Sequence, residues 1–163
     1  MTQNSINTKN PVVQMVYNNT SAAFASVTPI PSDDTIPINT EGDEVLTCTI
    51  TPTNASNILH IHFTGTGTLS CGAGGNVASI ALFKDATANA IAGNTCYSNV
   101  GTEAWAIYIL THDMIAGTTS PTTFKIRAGP TKVGETMRLN ADSGGRSFGG
   151  VMFTTLEIWE IKA

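Results

Sequence analysis

Three histidines, His60, His62 and His112, are the first residues to test for reactive chemistry in this chain. His60 and His62 stand two apart, and on a strand that spacing puts both imidazoles on one face, a start towards holding a transition ion. The same spacing describes two polar side chains on the wet side of a half-buried strand. That simpler reading is preferred, and no metal or other cofactor is expected. His112-Asp113 would need a serine on a sharp turn to act as a nucleophile–base set, and the chain has no Gly-x-Ser-x-Gly elbow. The pair is read as the start of a polar loop. Glu41, Asp43 and Glu44 gather carboxylates, as glycoside hydrolysis requires, but in a stretch that reads as a solvated turn. No glycine loop for phosphate is present. These residues point away from an enzyme. Tyr97, Asn99, Glu103 and Trp105 lie close together and combine aromatic faces with polar groups, the grammar of a shallow glycan-contact site. Against this, Trp105 heads a strongly apolar run and suits a core.

The elements that must position these residues are strands. Ile58 to Thr64 alternates, with Leu59, Ile61 and Phe63 to one side and His60, His62 and Thr64 to the other. Further strands are expected at 11–17, 45–51, 77–83, 95–99, 105–111, 122–128, 136–140 and 151–161. In the last, Leu156, Ile158 and the apolar part of Trp159 are expected to be buried, with Glu157 and Glu160 exposed. Pro29, Pro31 and Pro37 confine their segment to loop or edge. The Gly/Thr/Ser stretch 65–76 reads as flexible, 86–93 as a helical turn at most, and 141–147 as a loop. No helical period is sustained. The expected fold is all-β, an antiparallel β-sandwich of jelly-roll type with about eight or nine strands.

Composition agrees. Of 163 residues, 41% are hydrophobic and only 12% charged, and threonine, a β-branched strand former, is the commonest type. A net charge of −4 with scattered basic residues argues against a nucleic-acid partner. No apolar run is long enough for a membrane span, and no membrane insertion is expected. Residues 1–10 are polar and lack the apolar centre of a secretion signal. Cys48, Cys71 and Cys96 form no metal or redox motif, and three reduced thiols fit folding in a cytoplasm. The chain divides into an N-terminal arm, 1–11, and one sandwich domain, 12–163. Because a sandwich has edges that invite pairing, a closed ring of copies is expected to cover them.

Several segments in order carry a resemblance. They are Asp33-Asp34-Thr35-Ile36-Pro37, Thr40-Glu41-Gly42-Asp43-Glu44, Ile50-Thr51-Pro52-Thr53-Asn54 and Asn57-Ile58-Leu59. The pattern continues through Ala81-Leu82-Phe83-Lys84-Asp85, residues 116–127 and 145–152, and the final Glu157-Ile158 and Glu160-Ile161-Lys162-Ala163. Together they resemble the β-sandwich head domain at the C-terminal end of many phage and prophage tail-fibre proteins, over about Val12 to Ala163. The resemblance implies a non-enzymatic virion protein, assembled in the host cytoplasm, that forms a homotrimer and contacts a host surface glycan or protein. In such a trimer His60 and His62 would offer six imidazoles, an octahedral set. The chain departs from the pattern in having no stalk. A capsid-decoration or head-fibre protein docked on the major capsid protein is therefore the alternative. In either case the arm residues Thr2, Gln3, Asn4 and Lys9 would meet other virion proteins.

Overall fold

In the expected strand after Asn57, Leu59, Ile61 and Phe63 are fully buried while His60, His62 and Thr64 stay partly exposed. Such alternation places one side of a strand in a core. The structure, a computed structural model, describes residues 11–70, 76–98 and 103–163. Twelve strands occupy them: β1 (Val12–Thr20), β2 (Phe24–Ser26), β3 (Asp43–Ile50), β4 (Ile58–Ser70), β5 (Asn76–Lys84), β6 (Ala92–Ser98), β7 (Glu103–Ile115), β8 (Thr122–Pro130), β9 (Thr136–Leu139), β10 (Ala141–Asp142), β11 (Gly145–Arg146) and β12 (Thr154–Ile161). One short 3-10 turn, Phe148–Gly150, is the sole helical element among the described residues.

The eight longest strands make two antiparallel layers. The large sheet runs β1-β12-β4-β7, extended past the end of β12 by β9 and β2, which attach to the far end of β4. The small sheet runs β3-β8-β5-β6. The chain crosses between layers from β3 to β4, β4 to β5, β6 to β7 and β7 to β8. That is the double Greek key of a jelly roll. The inward sides meet in one core: Cys48 and Ile50 from β3, Ile80 and Leu82 from β5, Phe124 and Ile126 from β8, against Ile61 and Phe63 from β4, Leu110 from β7 and Ile158 from β12.

Five expectations are corrected. The number of strands rises from eight or nine to twelve because short pairs form where only loop was expected, at β2 and at the β10–β11 hairpin. Strand β4 does not stop at Thr64 but continues to Ser70, through the stretch read as flexible. Its glycines serve a close crossing: a Cβ on Gly67 would stand 1.9 Å from the carbonyl oxygen of Arg138. Strand β7 runs on through His112 and Asp113, which are therefore strand and not loop. Glu160 is 0% exposed, on the inward side with Leu156 and Ile158. No helical turn forms at 86–93.

Glu160 is tolerated inside because it is saturated with donors. Gln14 Nε2 and Asn57 Nδ2 each donate to it at 2.6 Å, Thr53 Oγ1 at 2.8 Å and the Thr53 backbone N–H at 2.9 Å. Burial by itself would raise its pKa, but the hydrogen bonds from Gln14, Asn57 and Thr53 outweigh it and bring the carboxyl down to about 2. The carboxylate thus ties β12 and β1 to the turn that follows β3.

Both edges of the large sheet are latched to the small one by side-chain amides. Gln14 Nε2 donates to the Thr51 carbonyl at 2.8 Å and Asn18 Nδ2 to that of Thr47 at 2.9 Å, joining β1 to β3. On the other side Asn94 Nδ2 of β6 donates to the Ile109 carbonyl of β7 at 2.7 Å. In this way the chain itself occupies three carbonyls along the seams between the sheets, those of Thr51, Thr47 and Ile109.

Candidate docking surfaces

With one face of each sheet in the core, two outer faces remain, and they differ. On the large sheet the outward row Met15, Trp159, His60, Asp113 runs straight across four strands, and beside it runs Tyr17, Glu157, His62, Thr111. Strand β7 adds Trp105, Ile107, Ile109 and Ile115, and β1 adds Val13. With Ile58 of β4, all of these large apolar groups except the partly covered Trp159 are bare, from 38% exposed at Ile58 to 65% at Ile115. Strands β1, β4, β7 and β12 contain no lysine or arginine. At one end Arg138 of β9 is occupied, bonding Ser70 Oγ at 2.9 Å and lying 3.6 Å from Glu103.

Strand β7 is the informative one. Its inward residues Ala104, Tyr108 and Leu110 are buried, and its outward residues Trp105, Ile107 and Ile109 are equally apolar. A strand apolar on both sides is the pattern of one covered on both sides. Here the chain covers one.

The small sheet's outer face is covered by the chain's own proline-punctuated segment. Ile30 is sealed against Ala81 and Phe83 of β5, and its N–H donates to the Pro130 carbonyl at 2.8 Å. Arg127 of β8 donates from Nε to the Glu41 carbonyl and from Nη2 to that of Gly42, at 2.7 and 2.6 Å. Gly129 lets this segment in: a Cβ there would meet the Thr28 carbonyl oxygen at 2.1 Å. Among the openings left is a cleft of about 280 Å³ between Pro31–Thr35 and the strands, lined by Ser32, Asp33, Thr35, Ser79, Asn94 and Thr95 among others. The Thr35 hydroxyl and backbone N–H donate to one oxygen of Asp33 at 2.5 and 2.9 Å, holding its pKa below the ordinary value. Ser79 Oγ is buried there without a protein partner.

The sequence-derived candidates are dispersed by this architecture. Tyr97, 61% exposed, lies on β6 opposite the inward Cys96, on the same face as Thr95 at the cleft. Trp105 lies on the other sheet's outer face, so the two aromatics do not form one platform. Glu103 has its carboxylate engaged within the chain: Thr68 Oγ1 donates at 2.7 Å, Ser143 N–H at 2.8 Å and Ser143 Oγ at 2.6 Å. The Ser143 hydroxyl is the chief cause lowering its pKa, with burial opposing and Thr68 and Arg138 assisting. Glu103 clamps the β10–β11 hairpin to the sheet. Asn99 and the arm residues Thr2, Gln3, Asn4 and Lys9 lie outside the described residues, as does Cys71. His60 and His62 do share one face, and His60 Nδ1 sits 2.5 Å from Asp113 Oδ1. Among the described residues no three potential metal ligands come together within the chain. Ile107, Ile109 and Ile115 were missed as surface groups; the two-sided apolarity of 104–110 was the available signal.

No family model matches the chain, and none of the curated proteins does at a significant level. Among solved structures, one similar chain belongs to the T13 IBDV viral particle, with 12% identity and a TM-score of 0.37 over 93% of this chain. Another is the enzymatically active domain of bacteriophage CBA120 tailspike protein 4, with 15% identity and a TM-score of 0.27 over 82% of this chain. The match spans 36% of the first and 20% of the second. Likenesses this remote carry no argument about function.

Proposed function

We propose that this protein is a non-enzymatic structural component of a bacteriophage particle, a homo-oligomer at the tail that touches the host surface. The observation that carries the reading is the broad uncovered outer face of the large sheet. A monomeric protein rarely leaves so wide an apolar area bare, and such areas mark association. The order of segments resembling the tail-fibre head domain supports the tail assignment, with the arm at 1–11 docking on neighbouring virion proteins. Antibody labelling of intact particles tests the placement. Label at the tail tip is expected; label over the head shell overturns the tail assignment in favour of capsid decoration.

Host contact in this reading falls to the small sheet's open cleft and Tyr97. Hydroxyls, one ionised carboxylate and an exposed aromatic ring on the neighbouring strand position suit an uncharged sugar ring, and among the described residues no cation lines the cleft to attract an acidic one. A glycan array probed with the wild-type protein is expected to show binding that Tyr97→Ala and Asp33→Asn each reduce. Unchanged binding in both variants removes the cleft from the proposal.

A further inference from the structure

We infer that the outer face of the large sheet is a self-association interface, occupied by the same face of a second copy of this chain. This rests on the particle-protein reading above and names the surface through which copies meet. Size supports it first. Eight outward residues are bare: Val13, Met15 and Tyr17 on β1, Ile58 on β4, and four on β7. At roughly 150–250 Å² per large side chain they leave on the order of 800 Å² uncovered, about one partner's share of a standard stable interface.

Chemistry narrows the partner. The four strands offer no lysine or arginine, so the face holds nothing for phosphate, nucleic acid or an acidic peptide. Its two outward carboxylates in the central rows each have an imidazole as a register neighbour, Asp113 with His60 and Glu157 with His62. A face with apolar flanks on β1 and β7 around a central band of His60, His62, Thr111, Asp113 and Glu157, in which acids neighbour imidazoles, matches a copy of itself. Packing one flat sheet on another is also how this chain already buries its inner faces. Strand addition at an edge is less well suited, because side-chain amides of Gln14, Asn18 and Asn94 already occupy the Thr51, Thr47 and Ile109 carbonyls along the seams between the sheets. Copies therefore meet face to face through the apolar side of β7 and its neighbours.

Sedimentation velocity on the full chain tests this. Wild type is expected to be a dimer or larger at roughly 100 μM. The double variant Ile107→Lys/Ile109→Lys is expected to be monomeric with an unchanged circular-dichroism spectrum, its association weakened about a hundredfold or more by burying unpaired charge. Thr49→Lys, on the exposed outer side of β3, is expected to leave association unchanged. A wild-type monomer at that concentration overturns the inference. An oligomer that persists in the double-lysine variant overturns this face while leaving the particle assignment to the labelling experiment. Should the double variant not fold, acrylamide quenching of Trp105 in Trp159→Phe protein decides: quenching that falls as protein concentration rises supports the interface, and concentration-independent quenching sinks it.

Discussion

The two sheets of this sandwich face one problem and meet it differently. Each has an inner side in the common core and an outer side that must be covered or made polar. The small sheet covers its own: Ile30 closes over Ala81 and Phe83, and Arg127 holds the covering segment by two carbonyls. The large sheet leaves Ile107, Ile109, Ile115 and Tyr17 bare and carries no lysine or arginine on its four long strands. Apolar surface that a chain covers for itself stabilises the monomer. Apolar surface it leaves bare stabilises only an assembly. Burial therefore separates the residues that hold the fold from those the proposed assembly would cover.

The sharpest way to break this contrast is to truncate one side chain on each outer face. Phe83→Ala, beneath the small sheet's cover, is expected to cost about 3–5 kcal/mol in urea unfolding. Ile107→Thr is expected to stay within about 0.5 kcal/mol for dilute monomer. Equal losses would show that the large sheet's outer face is part of the monomer's own core.

A smaller effect is expected at Glu160, which ties the large sheet to the turn after β3. Glu160→Ala leaves the donors of Gln14, Asn57 and Thr53 without an acceptor and is expected to cost about 1–3 kcal/mol at neutral pH. Its folded-state pKa is depressed, so the folded protein resists protonation more than the unfolded chain does. The stabilisation is complete above the ordinary carboxylate value and is lost as pH falls from there towards about 2. Glu160→Gln is expected to flatten stability across that acid window; a wild-type curve already flat there removes the role assigned to this carboxylate.

Smaller again is the seam between β6 and β7. Asn94→Ala removes the single amide bridge to the Ile109 carbonyl and is expected to cost about 0.5–1.5 kcal/mol, with faster hydrogen exchange confined to β6. Exchange that spreads evenly over both sheets would argue against a local latch. Smallest of all, Tyr97→Ala is expected to leave unfolding unchanged within about 0.5 kcal/mol while lowering glycan binding. A large loss of stability would show that the ring is structural.

Much of the fold was legible because alternation is local. Leu59, Ile61 and Phe63 announced the inward side of β4 without help from any distant residue. The same rule, followed strictly, would have placed Glu160 inside with Leu156 and Ile158; its charge suggested solvent, and the donors that make burial tolerable come from Gln14, Thr53 and Asn57, far along the chain. Gly67 suggested flexibility because the backbone of Arg138 that demands it is distant in sequence. Of the glycan-contact set, Tyr97 and Trp105 were joined by sequence proximity alone, and the crossing between sheets from β6 to β7 put them on opposite outer faces.

By itself the sequence determined an all-β chain and the inward residues Leu59, Ile61 and Phe63 of β4. Each follows from a period of two along a few residues, set by the pleat of a single strand. Which apolar side would be covered, which carboxylate would be buried and which candidates would share a surface were decided only by the tertiary structure. Those outcomes depend on which strands become neighbours, and strand neighbours in a jelly roll are distant in sequence.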